Sequence, residues 1–310
     1  MVTPVQNTSS LSYSFATYVT AQEYKQYPSG VDVSNLVPGN PSASDAELNN
    51  RIRAATGWVD TICGQSLLAT TDNWTDVEAV IDREGYLRLH LPKFPVQQVN
   101  SISYGATRNS VFTMSDLSNV EFGRQGILSV PLAGGTGTWS GPLQLSSPPA
   151  RPGARVYAAV GAVSGYVITT LAATATAGAG SIQVADATGV VPGVTTLILV
   201  DGAQTEAVQV AATTAVGATT LTLVAPLVYT HAAAGIRVTG MPENVRTATF
   251  LLLSTLIQTR GAVALIAPAV GGMGSRYTQS GSQRSRGQKI PMDDNVEMAC
   301  DLLSNVTRTR

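Results

Sequence analysis

A long stretch without positive charge constrains the fold of this chain more than any other feature. Between Arg155 and Arg237 the sequence contains no Lys or Arg, and its only acids are Asp186, Asp201 and Glu206. Ala, Gly, Thr and Val dominate, and short apolar runs alternate with Gly-containing turns. This composition disfavours helices and is typical of short strands. We therefore expect a β-rich region whose surface carries few charges.

A weak internal repeat lies inside this stretch. Residues 178–184 resemble residues 217–223 at an offset of 39 positions. Two similar units would indicate a small β-sandwich or barrel that arose by duplication and was inserted as a block. Strands rich in Thr, Val and Gly can also resemble each other through composition alone. The sequence leaves both explanations open.

The clearest helix pattern covers residues 44–64. Ser44 and Glu47 have capping-box spacing, so their side chains can accept hydrogen bonds from free N–H groups at the helix start. Gly64 suits the C-terminal cap. Trp58 lies off the apolar stripe of this helix, and we predict that it forms part of a subunit interface. The stripe itself steps by three or four residues and consists of Leu48, Ile52, Ala55, Val59 and Ile62.

Three further helices are predicted. Thr20 and Glu23 form a second capping box, which opens a short helix. A helix from Pro242 to about residue 260 is apolar on most sides, so it is the natural partner for the stripe of the first helix. A last helix begins near Asp294, with Glu297 at capping spacing. Its apolar stripe consists of Val296, Ala299, Leu303 and Val306.

The region between residues 73 and 160 has the alternation typical of strands. Residues 77–91 form a predicted hairpin that turns at residues 82–85. Residues 133–141 are Gly-rich and lack the Gly-Lys-Ser/Thr ending of a phosphate-binding loop. A bend followed by a strand is expected over residues 91–102, and further short strands and turns are expected at residues 112, 120–122, 127–130 and 155–160.

These patterns predict an α+β fold. It combines a small helical bundle and a β-hairpin or sheet region with an inserted all-β domain, sandwich or barrel-like. A chain of 310 residues is long enough for this division. The predicted regions are residues 1–165 (N-terminal part of the body), 166–240 (inserted β-domain), 241–270 (helix completing the body) and 271–310 (basic segment and C-terminal docking helix).

Composition restricts the functional class. The net charge is −1, so bulk charge does not indicate a nucleic-acid binder. Only 13% of residues are charged, against roughly 25% in typical soluble domains, which suits an assembly protein partly covered by neighbours. Cys63 and Cys300 lie far apart in sequence, which predicts no disulfide and a reducing, cytosol-like compartment. We also expect no signal peptide and no transmembrane helix.

The candidate catalytic residues are few. His90 and His231 are the only histidines, and neither has a second ligand at zinc spacing, so we expect no metal site and no cofactor. His231 with Asp201 and a serine could form a triad. A loop histidine is preferred because the sequence has no Gly-x-Ser-x-Gly elbow.

The acids of the uncharged stretch have alternative readings. Asp186, Asp201 and Glu206 could form paired carboxylates or a calcium site. Asp201 precedes a glycine, which is more typical of a hairpin turn.

A Gly/Ser-rich basic segment covers residues 271–288 and continues to Lys289. It carries Arg276, Arg284, Arg286 and Lys289 with no acid among them. Such cations could contact DNA phosphates, dock into an acidic groove of another protein, or belong to a solvated linker.

The order of these pieces resembles the head-tail connector (adaptor, or head-completion) proteins of long-tailed double-stranded DNA phages. The motifs in question are Tyr-Val-Thr-x-x-Glu-Tyr at residues 18–24, Ile-Cys-Gly at 62–64, Leu-Pro-x-x-Pro-Val at 91–96 and Pro-Glu-Asn-Val-Arg-x-Ala at 242–248. The uncharged stretch looks like a β-domain that some of these adaptors carry, with Thr-Thr-Leu at residues 169–171 and Asp-Gly-x-x-Thr-Glu at 201–206.

The resemblance implies a structural virion protein of the neck, assembled in the host cytoplasm and without enzymatic activity. Such adaptors form a ring, often twelvefold, below the portal protein, and packaged DNA passes through the ring without sequence-specific contact. The ring offers a platform for the tail or a head-closure (stopper) protein, and no membrane is involved. The C-terminal segment commonly reaches the portal, which makes the expected docking residues Arg276, Arg284, Arg286, Lys289, Val296 and Leu303.

Two alternatives remain open. The β-domain could be an accessory module that binds carbohydrate or a capsid surface, although Tyr229 is its only aromatic residue after Tyr166, and sugar sites usually stack on aromatic rings. A weaker alternative is a hydrolase that uses Asp201, Glu206 and His231.

Overall fold

The computed structural model describes residues 16–28, 31–34, 36–105, 112–114, 117–123, 126–132, 153, 155–232, 236–258 and 294–308. Within them the chain has an α+β fold with four helices and antiparallel sheets, as predicted. The Gly-rich residues 133–141 and the four cations of the basic segment lie outside the described residues. The helices are α1 (Ala21–Gln26), α2 (Pro41–Cys63), α3 (Glu243–Gln258) and α4 (Asp294–Arg308).

Helix α2 begins earlier than the sequence pattern suggested. Its N-cap is Asn40, whose side chain accepts a hydrogen bond from the Ala43 N–H at 3.0 Å, and Pro41 occupies the first turn. Asparagine is a preferred N-cap and proline has the backbone angle of a first helical residue, so this pair starts the helix. The assignment of Ser44 as N-cap is wrong, because its hydroxyl is buried and accepts from the Val37 N–H at 3.0 Å.

The four helices share one hydrophobic core, the helical core. The predicted stripe of α2 is buried there against α3, and Phe250 of α3 stacks on Tyr27 with ring centroids 4.4 Å apart. Helix α1 carries the predicted capping box, in which Thr20 and Glu23 bond each other's backbone N–H groups. Helix α4 begins at Asp294 as predicted and packs against both α2 and α3.

A seven-stranded antiparallel sheet follows α2. Its strands are β1 (Thr70–Ile81), β2 (Tyr86–His90), β3 (Val96–Gly105), β4 (Phe112–Thr113), β5 (Glu121–Phe122), β6 (Ile127–Pro131) and β7 (Arg155–Ser164), in the order β4-β3-β7-β1-β2-β6-β5. The predicted hairpin is confirmed as β1–β2, where Ile81 lies opposite Leu87. The core of this sheet consists of side chains from its own strands and loops, so the sheet curves around them.

Residues 167–240, the β-block, form a third unit with its own core. Its strands are β8 (Ile168–Thr170), β9 (Ser181–Gln183), β10 (Thr196–Val200), β11 (Glu206–Gln209), β12 (Thr220–Thr222) and β13 (Arg237–Thr239). They form a four-stranded sheet of order β11-β10-β13-β8 and the pair β12-β9. The Gly240 N–H donates to the Val167 carbonyl at 2.9 Å, so the block begins and ends at one place. Tyr166, which the sequence analysis included in this region, belongs to the helical core.

The two repeat segments pair with each other about a local twofold axis. Ile182 of β9 lies opposite Leu221 of β12, and Leu199 of β10 lies opposite Val238 of β13. Each pair is separated by 39 positions, the offset of the sequence repeat. The edge strands β8 and β11 occupy corresponding places in the four-stranded sheet. We call residues 167–200 the first half of the block and residues 206–239 the second half.

Backbone hydrogen bonds recur at the same offset. The Ala172 N–H donates to the Gln183 carbonyl at 2.8 Å, and the Ala211 N–H donates to the Thr222 carbonyl at 2.8 Å. In both halves a glycine with positive φ, Gly178 or Gly217, precedes the paired strand. Similar composition alone does not produce matching hydrogen bonds, so the repeat is structural.

Candidate functional site

Four charged side chains meet where the β-block contacts the helices. Glu23 of α1 forms ion pairs with Arg237 of β13 at 3.0 Å and with Arg246 of α3 at 2.9 Å. Arg246 also contacts Glu243 at 2.6 Å, and Arg237 donates to the Thr17 carbonyl at 2.6 Å. We call Glu23, Arg237, Arg246 and Glu243 the ionic joint.

The ionic joint is nearly closed to solvent at its centre. Glu23, Arg237 and Arg246 are 6%, 5% and 9% exposed. Burial lowers the pKa of Arg237, and the Glu23 carboxylate opposes that effect. The Nε atoms of both arginines have no hydrogen-bond partner among the described residues. Because buried ion pairs lose hydration free energy, such a network adds little net stability, but it disfavours other arrangements of the parts it joins.

The ionic joint was not predicted as a site. From the sequence, Glu23 was predicted only as a helix cap, and Arg237 was noted only as the end of the uncharged stretch. The available signal was Arg246, a cation in a helix that is apolar on most sides. A charged residue in such a helix requires an oppositely charged partner when it is buried. The identity of that partner could not be read from the sequence.

A second polar cluster lies inside the β-block. The imidazole of His231 is fully buried, with Nδ1 3.0 Å from Asp201 and Nε2 2.8 Å from Glu206. His231 lies in the connection between β12 and β13, as expected for a loop histidine, but its side chain points into the block and contacts both acids. Asp186 does not join the cluster, because its carboxylate accepts from the N–H and hydroxyl of Thr188. We call His231, Asp201 and Glu206 the histidine clamp.

The geometry of the histidine clamp disfavours catalysis. Both ring nitrogens face carboxylate oxygens, so neither is left to accept a proton from a nucleophile, as the histidine of a catalytic triad must. Both contacts are hydrogen bonds when the ring donates from both nitrogens, as imidazolium does. The three residues of the hydrolase alternative therefore do contact one another, and the contact links the segment around His231 to the β10–β11 connection.

Glu206 also holds the neighbouring backbone. Its carboxylate accepts hydrogen bonds from the N–H groups of Val228 and Tyr229 at 2.9 and 3.1 Å. Burial acts to raise the pKa of Glu206, but these bonds and the contact with His231 hold that pKa below its usual value. Asp201 directly precedes the short 3-10 turn Gly202–Gln204 between β10 and β11, which confirms its predicted place in a hairpin connection.

A third polar cluster ties the N-terminal segment to the end of α2. Tyr18 donates a hydrogen bond to Asp60 and accepts one from the Leu67 N–H at 2.8 Å. Burial raises the pKa of both Tyr18 and Asp60. Lys93 donates to Thr70 Oγ1 at 2.5 Å, and burial lowers the pKa of this ammonium group.

The described residues contain no group of three or more His, Cys, Asp or Glu placed to hold a metal ion.

The predicted interface and docking residues have different outcomes. Trp58 is half-buried against the helical core, and its role at a subunit interface stays a prediction. Val296 and Leu303 are buried in the helical core, so their assignment as docking residues is corrected: they serve contacts within the chain.

Cys63 and Cys300, distant in sequence, pack in that same core, where burial raises the pKa of the Cys63 thiol to about 12. Arg276, Arg284, Arg286 and Lys289 lie outside the described residues.

No helix among the described residues is long and apolar enough to cross a bilayer. Comparison with known proteins found no matching family model, no similar curated protein and no similar solved structure.

Proposed function

We propose that this chain is a head-tail connector (adaptor) of a long-tailed phage. In this proposal it is a structural protein without catalytic activity that forms a ring below the portal. The ring extends the DNA channel and provides the attachment platform for the tail or for a head-closure protein. The protein belongs to the virion neck.

The ionic joint is the observation that carries this proposal. A subunit of a closed ring must hold its parts at fixed angles, because small errors in angle accumulate around the ring. The joint connects α1, α3 and β13 through Glu23, which bonds both arginines while it also caps α1. It therefore holds the β-block against helices α1 and α3 through ion pairs that are buried at their centre and whose charges balance. We propose that the block is an all-β domain inserted into the adaptor body.

The order of elements supports the same assignment. The capped α1, the long α2, the β1–β2 hairpin and α3 follow one another as in the adaptors that the sequence resembles. Helices α2, α3 and α4 pack together into a body that could line a ring. The histidine clamp gives no support to the hydrolase alternative, because it leaves no free ring nitrogen.

Electron microscopy of the purified chain, alone and mixed with its portal protein, tests the proposal. We expect rings of uniform diameter, or added density on one end of the portal. Particles no larger than a monomer in both samples would contradict it. Glu23→Gln should reduce ring uniformity, because it weakens both ion pairs of the joint while keeping the shape of the side chain. Asp45→Asn is a matched control, since Asp45 forms an exposed ion pair with Lys25.

The role of the basic segment requires a separate experiment. Because α4 completes the helical core, deletion of residues 271–310 would remove part of that core as well as the segment. Replacing Arg276, Arg284, Arg286 and Lys289 with Gln leaves α4 intact. We expect this variant to form rings but to bind the portal more weakly. Unchanged portal binding would contradict docking through these cations.

A further inference from the structure

Two cysteines from distant parts of the sequence lie in the helical core. Cys63 is the last residue of α2, and Cys300 lies in the first half of α4. Helices α2 and α4 pack against each other, and both cysteines contribute to the core that they share. In the structure both side chains are thiols. Because the chain has no other cysteine, the fold brings its one possible internal disulfide pair into the same core.

The two thiols are close enough to affect each other electrostatically. Burial is the main cause of the raised pKa of the Cys63 thiol, and the charges of Asp60 and Cys300 raise it further. A like charge has this effect only on a neighbouring group. Cys300 is therefore a neighbour of Cys63 across the contact between α2 and α4.

The position of Cys63 at a helix end favours bond formation. A disulfide requires Cα atoms within about 7 Å of each other and a narrow range of torsion angles. The interior of a helix adapts poorly to such a requirement, whereas helix ends open and shift at low cost in free energy. Gly64, with a φ of 70°, ends α2 directly after Cys63. This end can adjust toward Cys300 while the rest of α2 keeps its packing.

The two thiols differ in their access to solvent. Cys63 is 8% exposed, whereas Cys300 is only partly buried. A dissolved disulfide therefore reaches Cys300 first. Cys63 is shielded from the solution but lies beside Cys300, which suits the thiol that completes an internal disulfide in a second step.

We propose that Cys63 and Cys300 are a redox site whose disulfide ties α4 to the end of α2. The oxidant is a small-molecule disulfide such as oxidised glutathione. The Cys300 thiolate attacks one of its sulfur atoms, and one glutathione leaves and is protonated to a thiol. The Cys63 thiolate then attacks Cys300 Sγ, forms the internal disulfide and releases the second glutathione as a thiol. The protein loses two electrons and two protons, and the oxidant gains them.

The disulfide changes how α4 is held. Among the described residues α4 is attached by non-covalent contacts, with Val296, Ala299 and Leu303 in the helical core. Its connection to α3 runs through residues 259–293, which lie outside the described residues. A covalent link to α2 restricts the unfolded chain and opposes separation of α4 from the core. The oxidised chain should therefore melt at a higher temperature than the reduced chain.

The proposed function supplies a setting for this change. A neck protein folds in the reducing cytoplasm of the host, where thiols persist, and leaves the cell with the virion, where disulfides persist. The site would stay reduced during assembly and close after release. This setting rests on the proposed function, whereas the site does not, because both cysteines belong to one chain.

Oxidation of the purified full chain tests the redox site. The reduced chain is incubated with oxidised glutathione, quenched in acid and analysed by mass spectrometry without reductant. We expect both thiols to be lost without added glutathione, and trypsin should yield residues 54–83 linked to residues 290–308. Because the Cys63 thiol must ionise before it attacks, and its pKa is about 12, closure should become about tenfold faster per pH unit above neutral pH.

Two variants separate closure from simple thiol modification. Cys63→Ser should accumulate one glutathione on Cys300, because the second step is missing. Cys300→Ser should react more slowly than the parent, because the buried Cys63 thiol is harder to reach. Thermal melting reports whether each variant folds, and peptide mapping of the parent chain decides the question if either does not.

Each outcome bears on the proposal. A disulfide within one chain and a higher melting temperature of the oxidised parent support it. Two bound glutathiones, cysteines linked between two chains, or two unmodified thiols would overturn it, and so would an oxidised chain that melts no higher than the reduced one. If the internal disulfide forms in a chain that assembles no ring, the redox site stands and the proposed function does not.

Discussion

The two halves of the β-block have one backbone pattern but different side chains. Buried positions stay large and apolar, as in Ile182 and Leu221, which face each other at the twofold axis. Exposed positions differ, as in Ala177 and Val216. A few buried side chains and glycine turns are thus enough to maintain this backbone in both halves. At the other positions the side chains differ between the halves, and some of them make contacts that occur in one half only.

The histidine clamp is the largest such difference. It joins the β10–β11 connection to the segment around His231, and its ligand Glu206 belongs to the second half alone. Thr214 is a smaller difference: its hydroxyl bonds both the N–H and the carbonyl of Thr222, whereas the corresponding residue of the first half is Ala175.

The largest expected effect concerns the axis itself. Ile182→Ala and Leu221→Ala each remove a large side chain from the same packed contact, so each should lower the free energy of unfolding by about 3 kcal/mol. The two losses should agree within about 1 kcal/mol. Urea denaturation measures both. Clearly unequal losses would show that the two halves do not contribute equally to the core.

The histidine clamp should make the second half sensitive to acid. The pKa of Glu206 in the folded chain lies below its unfolded value of about 4.3, so its ionised form stabilises the fold above that pH, and the contribution is lost as the pH falls through the folded pKa. Glu206→Gln should therefore cost about 2 kcal/mol at neutral pH and less in acid. Asp186→Asn, which changes an exposed acid of the first half, is the control and should cost under about 0.5 kcal/mol. A Glu206→Gln loss that does not vary with pH would argue against an ionised Glu206 in the clamp.

The substitution Thr214→Ala gives the second half the alanine that the first half has at the corresponding position, Ala175. It removes the two hydrogen bonds to Thr222 and should cost about 1.5 kcal/mol. Ala175→Thr is the reciprocal change, and we expect no gain in stability because Ala175 already pairs with His231 through its backbone. Thermal melting measures both variants. A stable Thr214→Ala chain would mean that the two halves tolerate exchange at this position.

The smallest expected effect lies in the glycine turns. Gly178 and Gly217 have φ values of +83° and +76°, and a Cβ at either would meet no atom within 4 Å. An alanine there is disfavoured by its backbone conformation alone, so each substitution should cost about 1 kcal/mol. Equal costs would confirm that the turns match. A cost at one glycine only would place the two turns in different environments.

Local patterns predicted much of this fold. The capping box of α1, the stripe of α2 and the β1–β2 hairpin follow from hydrophobic spacing and turn residues that lie close together in sequence. The start of α2 was misassigned because Asn40 and Ser44 are both good N-caps, and only the Asn-Pro pair distinguished them.

The polar sites could not be predicted in the same way. Glu23 and Arg246 are 223 positions apart, and His231 lies 30 positions from Asp201. No local spacing links such residues, because the twist and packing of the intervening strands bring them together. The repeat was visible only as seven residues in each copy, since most of the matching lies in backbone hydrogen bonds that tolerate many side chains.

The hydrogen bond between Gly240 and Val167 holds the two ends of the β-block side by side. Because these residues are already hydrogen bonded, a short linker could close the gap left by removal of the block, with little loop-closure entropy. Glu23 would still face Arg246, so the body would keep a paired charge at the former joint. On this geometry the block could be removed from the chain while the four helices keep their shared core.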